Sequence, residues 1–179
     1  KRQMLFYAAN MLYADKFREP YTLEREIELN ESSDCHIIGL TIETRPDHIN
    51  PDTIYEFRKQ GVTRVQLGIQ HTDDVILRKI NRACYQKHTI NALKLLKNAC
   101  YKVDIHIMPD LPGSSPEKDH DMFYTILYDQ NYSADQIKIY PLLITKWTIV
   151  KKWYDEGKFI PQQMNDIIKN IIYFKERVH

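Results

Sequence analysis

The sequence predicts an α/β protein built on a parallel sheet, and three observations carry that expectation. Short apolar runs of strand length recur at a period of roughly 30–35 residues. Each run ends abruptly in charged or polar residues or in proline. Between successive runs lies a stretch with helical spacing, which parallel strands need for their crossovers. A doubly wound sheet and a β/α barrel both satisfy this pattern. In either, the polar loops gather at the carboxyl ends of the strands, where such folds build their sites.

Taken in order, residues 3–16 read as a helix, with Met4, Leu5, Ala8, Met11 and Leu12 on one side. Pro20 suits the first turn of a second helix with Leu23, Ile27 and Asn30 as its stripe. Residues 36–43 read as a buried strand filled by Ile37, Ile38, Leu40 and Ile42; Pro46 then starts a loop. A helix over 51–60 opens on Pro51 and stops at Gly61, and a strand covers 62–70. Asp73 caps a helix through about Ile80, and another covers 88–100. A strand at 102–108 is followed by a helix from Ser115-Pro116-Glu117 to Tyr128, then a strand at 136–140. Helices at 149–156 and 161–176, parted by Gly157, finish the chain. Glu43, Gln70, His71, His106, Met108, Asp110 and Tyr140 are thereby predicted to converge on one cleft.

Of the 179 residues 43% are hydrophobic and 27% charged, ordinary for a soluble globular protein. The net charge of +1 conceals segregation: residues 78–102 hold seven Lys or Arg and no Asp or Glu, while 19–34 is mostly acidic. Three cysteines, Cys35, Cys84 and Cys100, have neither an even count nor metal-site spacing, so free buried thiols in a reducing compartment are expected. With no charged-then-apolar leader and no membrane-length apolar run, a cytoplasmic or nuclear location without a membrane partner is the expectation. Five glycines form neither a dinucleotide nor a phosphate loop, and no Ser or Cys sits in a nucleophile elbow.

Five ordered motifs carry a family likeness: ETRPD at 43–47, GIQH at 68–71, INR at 80–82, DIHIMPDLPGSSPEKD at 104–119 and KIYP at 138–141. With TIVKKWYDEGKFIP at 148–161, they resemble the radical S-adenosylmethionine domain of the catalytic subunit of the Elongator complex. That resemblance implies a partial parallel β/α barrel of the radical S-adenosylmethionine type. Residues 36–140 would form its βα repeats, with flanking helices in 1–34 and 146–179. It implies transfer RNA wobble-uridine modification that attaches a carboxymethyl-type group at the base carbon. The cofactors implied are S-adenosylmethionine, a 4Fe-4S cluster and acetyl-CoA; the partners are transfer RNA and other Elongator-type subunits.

Departures from the family pattern are equally specific. The closely spaced cysteine triplet that holds the cluster, the Gly-rich loop for the methionine amino group and the acetyltransferase domain do not occur in the sequence. Ala83 stands where the family usually has glycine, and Trp147-Thr148 where Gly-Thr is usual. The expectation is the later part of a radical domain, inactive alone, with cluster ligands and the acetyl-CoA domain outside this chain. An open barrel exposes strand edges, so self-association or association with a missing half is expected.

The resemblance implies that Glu43, Gln70 and His106 orient S-adenosylmethionine while Met108 and Pro109 flank its adenine. From the residues alone, Glu43 serves equally well in an ion pair with Arg45, and His106 as a hydrogen-bonded core histidine. Asp110 is expected to fix its loop, and Tyr140 either to border the substrate cavity or to pack at the rim. Arg78, Lys79, Arg82, Lys87, Lys94, Lys97 and Lys102 offer a stripe for RNA phosphates, with Tyr85 and Tyr101 available to stack on bases. The alternative for the stripe is an ordinary solvated surface. Two further functions stay open: a non-catalytic truncated module with an RNA- or partner-binding face, and a radical enzyme acting on another substrate.

Overall fold

The computed structural model describes residues 1–178. Helices α1 (Arg2–Met11) and α2 (Leu23–Asn30) precede the strands β1 (Thr41–Thr44), β2 (Arg64–Gln70), β3 (Lys102–Ile107) and β4 (Gln136–Ile139). The crossovers are α3 (Pro51–Lys59), then α4 (Asp74–Lys79) with α5 (Gln86–Asn98), then α6 (Pro116–Tyr128). Two helices follow, α7 (Ile149–Asp155) and α8 (Met164–Lys175). All strand pairs are parallel and the sheet order is β1-β2-β3-β4. Doubly wound sheets reverse direction at a switch point, whereas this progressive order is the one a β/α barrel uses.

The two faces of the sheet differ in kind. Ile42, Val65, Leu67, Ile69, Val103, Ile105, Ile107, Ile137 and Ile139 pack with Ala92, Leu93 and Leu96 of α5 and Met122, Phe123 and Ile126 of α6. Because side chains alternate along a strand, the residues between them face the other way. That second face carries Glu43 beside Gln66, Gln66 beside Asp104, and Gly68 beside His106, which adjoins Lys138. Asp104 is fully buried there and accepts hydrogen bonds from Arg64 and Gln66. One face holds the fold together; the other is polar from end to end.

Several expected boundaries shift, each for a local reason. The strand expected over 36–43 begins only at Thr41, and Ile38 is 90% exposed rather than buried. Upstream of β1 the backbone is engaged otherwise: the Asn30 side chain donates to Ile37 O at 2.9 Å and accepts from Ile37 N at 2.8 Å. The first helix ends at Met11 rather than at residue 16. Thr22, not Pro20, opens α2, its hydroxyl accepting from Arg25 N. The caps at Asp73 and Ser115 form as expected, to Val75 N and Lys118 N.

Loops after β2 and β3 are tied together by a buried polar clamp. Asp73 N donates to His71 Nδ1 at 2.9 Å, which leaves the Nε2 proton facing Asp119 Oδ1 at 3.3 Å. Asp119 Oδ2 also accepts from Asp110 N and from Gln162 Nε2, each at 2.7 Å. Asp110 Oδ1 accepts in turn from Gln162 N at 2.9 Å. Despite the cost of burial, these donors hold the Asp119 carboxyl below its usual range, while burial pushes Asp110 up. Asp110 fixes its loop, as expected. Its φ of 67° and that of Gln70, 69°, lie in the left-handed region, a conformation that persists where surroundings over-determine it.

Ahead of the sheet, α1 and α2 close around Glu26, whose side chain is fully buried. Arg18 donates to both its oxygens at 2.6 and 2.8 Å, joined by Tyr21 N at 2.9 Å and Asn10 Nδ2 at 2.9 Å. The Arg18 bonds, followed by those of Tyr21 and Asn10, hold the Glu26 carboxyl at about 2 against the opposing cost of burial. A carboxyl depressed on folding adds stability above its unfolded pKa and loses it as pH falls through the folded value. We expect up to about 3 kcal/mol to disappear between roughly pH 5 and pH 2 in urea titrations, and Glu26→Gln to abolish most of that pH dependence.

Ala83 and Trp147, the two positions where the resemblance implies glycine, both have positive φ, 54° and 69°. Trp147 is 100% exposed, so no packing repays its strain. Glycine takes this conformation freely, at some cost in unfolded-chain entropy. Ala83→Gly and Trp147→Gly should each raise the unfolding free energy by about 0.5–1 kcal/mol, read from denaturant midpoints.

Candidate active site at the carboxyl edge of the sheet

Glu43 ends β1 with its side chain 61% exposed. Arg45 pairs with Asp47 instead, its Nε donating to Oδ1 at 2.9 Å, so the local ion pair considered for Glu43 does not form. Glu43 Oε1 lies 3.4 Å from His106 Nδ1, two strands across the polar face. His106 is nine-tenths buried, and its Nε2 has no hydrogen-bond partner. Burial, with Lys138 assisting and Glu43 opposing, lowers the His106 pKa and keeps the ring neutral at pH 7. This is therefore not a core histidine with satisfied nitrogens. Its ring and that of Tyr140 meet edge-on, centroids 5.6 Å apart.

At the end of β2 the register slips between Gly68 and Gln70, a bulge that re-aims the Gln70 side chain. Met108 N donates to Gln70 O at 2.8 Å, locking the two strand ends together. A Cβ at Gly68 would sit 2.8 Å from Arg82 Nη2 and 3.0 Å from Gln70 Nε2, so a larger residue would displace these two side-chain ends. Met108 is half-buried at the edge, whereas Pro109 is buried beneath it.

Arg82, expected in the RNA stripe, turns inward instead: its Nη2 donates to Gly68 O at 2.7 Å and its Nε is buried without a partner. Among the described residues no carboxylate lies within ion-pair distance of it. Burial lowers its pKa, and the neighbouring Arg45 lowers it further. Asp47 and Glu43 act on it only from beyond ion-pair distance, so this partly desolvated guanidinium at the sheet edge keeps donor capacity for an anion. Helical periodicity cannot reveal this, because the loop after α4 turns back through the left-handed residues Asn81 and Ala83.

The remaining basic residues do not form one stripe. Lys97 and Lys102 both pair with Asp135, at 3.1 and 3.2 Å, at the amino end of β3, away from the carboxyl edge. Against the cost of burial, the Val103 amide and these two lysines hold the Asp135 carboxyl down at about 2. Lys79 packs its stem against Gly113, and Arg78 lies over the Tyr85 ring at 6.0 Å. Lys87 and Lys94 are exposed. Tyr101 is buried, its hydroxyl donating to Ile54 O at 3.0 Å beneath Arg58, so it is closed to bases. No three His, Cys, Asp or Glu side chains among the described residues converge to hold a metal ion, and no helix is long and apolar enough to cross a membrane.

Comparison with known proteins places this geometry. The sequence pattern of the radical SAM superfamily matches residues 5–123, and that of the radical SAM C-terminal domain matches 134–179. The chain is 37% identical over 158 residues to the tRNA uridine(34) acetyltransferase of Methanocaldococcus infernus, covering 88% of this chain and 30% of that protein. It is 30% identical over 153 residues to Elongator complex protein 3 of Schizosaccharomyces pombe, covering 84% of this chain and 28% of that protein. The archaeal Methanocaldococcus infernus Elp3 with an N-terminal deletion superposes with a TM-score of 0.90 at 34% identity, over 99% of this chain and 40% of that one. Coproporphyrinogen III oxidase of Escherichia coli shares the fold, with a TM-score of 0.62 at 17% identity. The chain thus spans about a third of the length of the curated relatives it matches. With a progressive parallel sheet, a polar inner face and a superfamily pattern over most of its length, the chain belongs to the radical SAM superfamily.

Proposed function

We propose that the chain is the cofactor-facing portion of the radical domain of a transfer RNA wobble-uridine modifying enzyme. The observation that carries this is the convergence of Glu43, Gln70 and Arg82 on one carboxyl edge, in a chain 37% identical to a tRNA uridine(34) acetyltransferase.

The edge suits S-adenosylmethionine. Arg82, a partly buried cation in no ion pair among the described residues, takes the methionine carboxylate. The Glu43 carboxylate accepts from the methionine ammonium or a ribose hydroxyl, and Gln70, with both donor and acceptor atoms, completes the polar rim. His106 Nδ1 steadies Glu43 from beneath, and Met108 offers adenine an apolar edge with Pro109 as its support. Bound there and reduced by one electron from a cluster held elsewhere in the polypeptide, S-adenosylmethionine would supply a carbon-centred oxidant for hydrogen abstraction. The described residues do not fit a 4Fe-4S cluster; its ligands, and any acetyl-CoA domain, belong to other parts of a longer polypeptide. Transfer RNA approaches over the exposed Arg78 and Lys87 beside this edge. Partner subunits of Elongator type, and a cytoplasmic or nuclear location, complete the reading.

Anoxic reconstitution of the full-length polypeptide with iron and sulfide tests it. S-adenosylmethionine should be cleaved reductively to 5′-deoxyadenosine. Arg82→Met should raise the cofactor KM about tenfold to hundredfold, the loss expected for a charged hydrogen-bonded pair. A full-length protein that cleaves no cofactor, or an Arg82→Met variant with unchanged KM, contradicts the proposal.

A further inference from the structure

His106 and Lys138 are strand neighbours on the polar face, and cofactor binding leaves His106 Nε2 and the Lys138 ammonium unused. Ile137 and Ile139 point into the core, so Lys138 between them points toward the inner face. It makes no ion pair among the described residues. A carboxylate 3.4 Å from Nδ1 favours the tautomer with the proton on Nδ1 and a lone pair on Nε2. The acceptor is screened from solvent while the neighbouring ring stands over it, and a cationic donor lies on the adjacent strand. The half-exposed Tyr140 ring stands over the histidine, two residues beyond Lys138 on the same side of the strand.

We propose that His106, Lys138 and Tyr140 read the substrate base and select uracil over cytosine. This rests on the wobble-uridine reading above. A uracil ring presents an N3–H donor beside the O4 carbonyl. His106 Nε2 accepts from N3–H, Lys138 donates to O4, and Tyr140 swings aside to stack on the ring. Cytosine reverses both groups: its N3 lone pair meets the Nε2 lone pair, and its amino group meets the ammonium. Discrimination then comes from repulsion as much as from attraction.

The test uses the full-length, cluster-loaded protein and anticodon stem-loop RNAs with uridine, 3-methyluridine or cytidine at the wobble position. The unmodified enzyme should favour uridine over 3-methyluridine in kcat/KM by about a hundredfold, since the methyl group blocks the bond to His106. His106→Ala should narrow that preference to about tenfold or less, and Lys138→Met should weaken uridine-over-cytidine preference in competition by about tenfold. Because each preference is a ratio within one variant, partial unfolding does not imitate it. Variants that lose rate on every RNA while keeping wild-type preferences overturn the base-reading role. Absence of product on uridine RNA with the unmodified enzyme withdraws the wobble-uridine reading itself, and the base-reading role with it.

Discussion

Period-two alternation in a parallel sheet that buries only one of its faces against helices is the constraint on which the rest depends. Val65, Leu67, Ile69, Val103, Ile105 and Ile107 commit one face to the helical layer and are almost wholly inaccessible. Once that face is fixed, a slip of one residue would turn every polar side chain into the core, so register is strongly specified. The polar face is the complement of the same choice. Glu43, Gln66, Gly68, Asp104, His106 and Lys138 come together because their neighbours in sequence are apolar.

Strain and its compensation mark where the fold becomes a site. Gln70, the last residue of β2, and Asp110, just past β3, adopt left-handed backbone, and each is held by hydrogen bonds. Met108 N secures Gln70 O, while Gln162 and Asp119 secure Asp110. His71, Ser114, Asp119 and Gln162 join segments far apart in sequence at this one point. Such a buried network is costly when broken, because each lost partner leaves a desolvated polar group. Rigid strand ends are what a cofactor-binding edge needs.

The sheet, its parallel sense and its edge were legible because strand spacing and helix punctuation agree. Pro51, Asp73 and Ser115 start helices where expected. Ile38 misled because an apolar residue reads alike in a buried strand and on an exposed approach to one. Arg82 misled because a cation in a basic run looks solvated; its contact with Gly68 O depends on a turn through Asn81 and Ala83 that no periodicity encodes. Lys97 and Lys102 looked like free phosphate ligands until the fold brought Asp135, more than thirty residues away, between them. His106 lay in an apolar strand by composition, yet Asp104 two residues earlier carried the alternating signal of a polar face.

That separation of labour between the two faces can be measured directly. Cofactor binding and chemical denaturation would be followed side by side in the full-length polypeptide for Glu43→Gln and Ile105→Ala. Glu43→Gln should lose S-adenosylmethionine affinity at an unchanged unfolding midpoint, since its side chain is exposed at a strand end. Ile105→Ala should lose about 2–5 kcal/mol of stability through the cavity it leaves. A Glu43→Gln protein that binds the cofactor normally, or one that unfolds as readily as Ile105→Ala, would contradict the account.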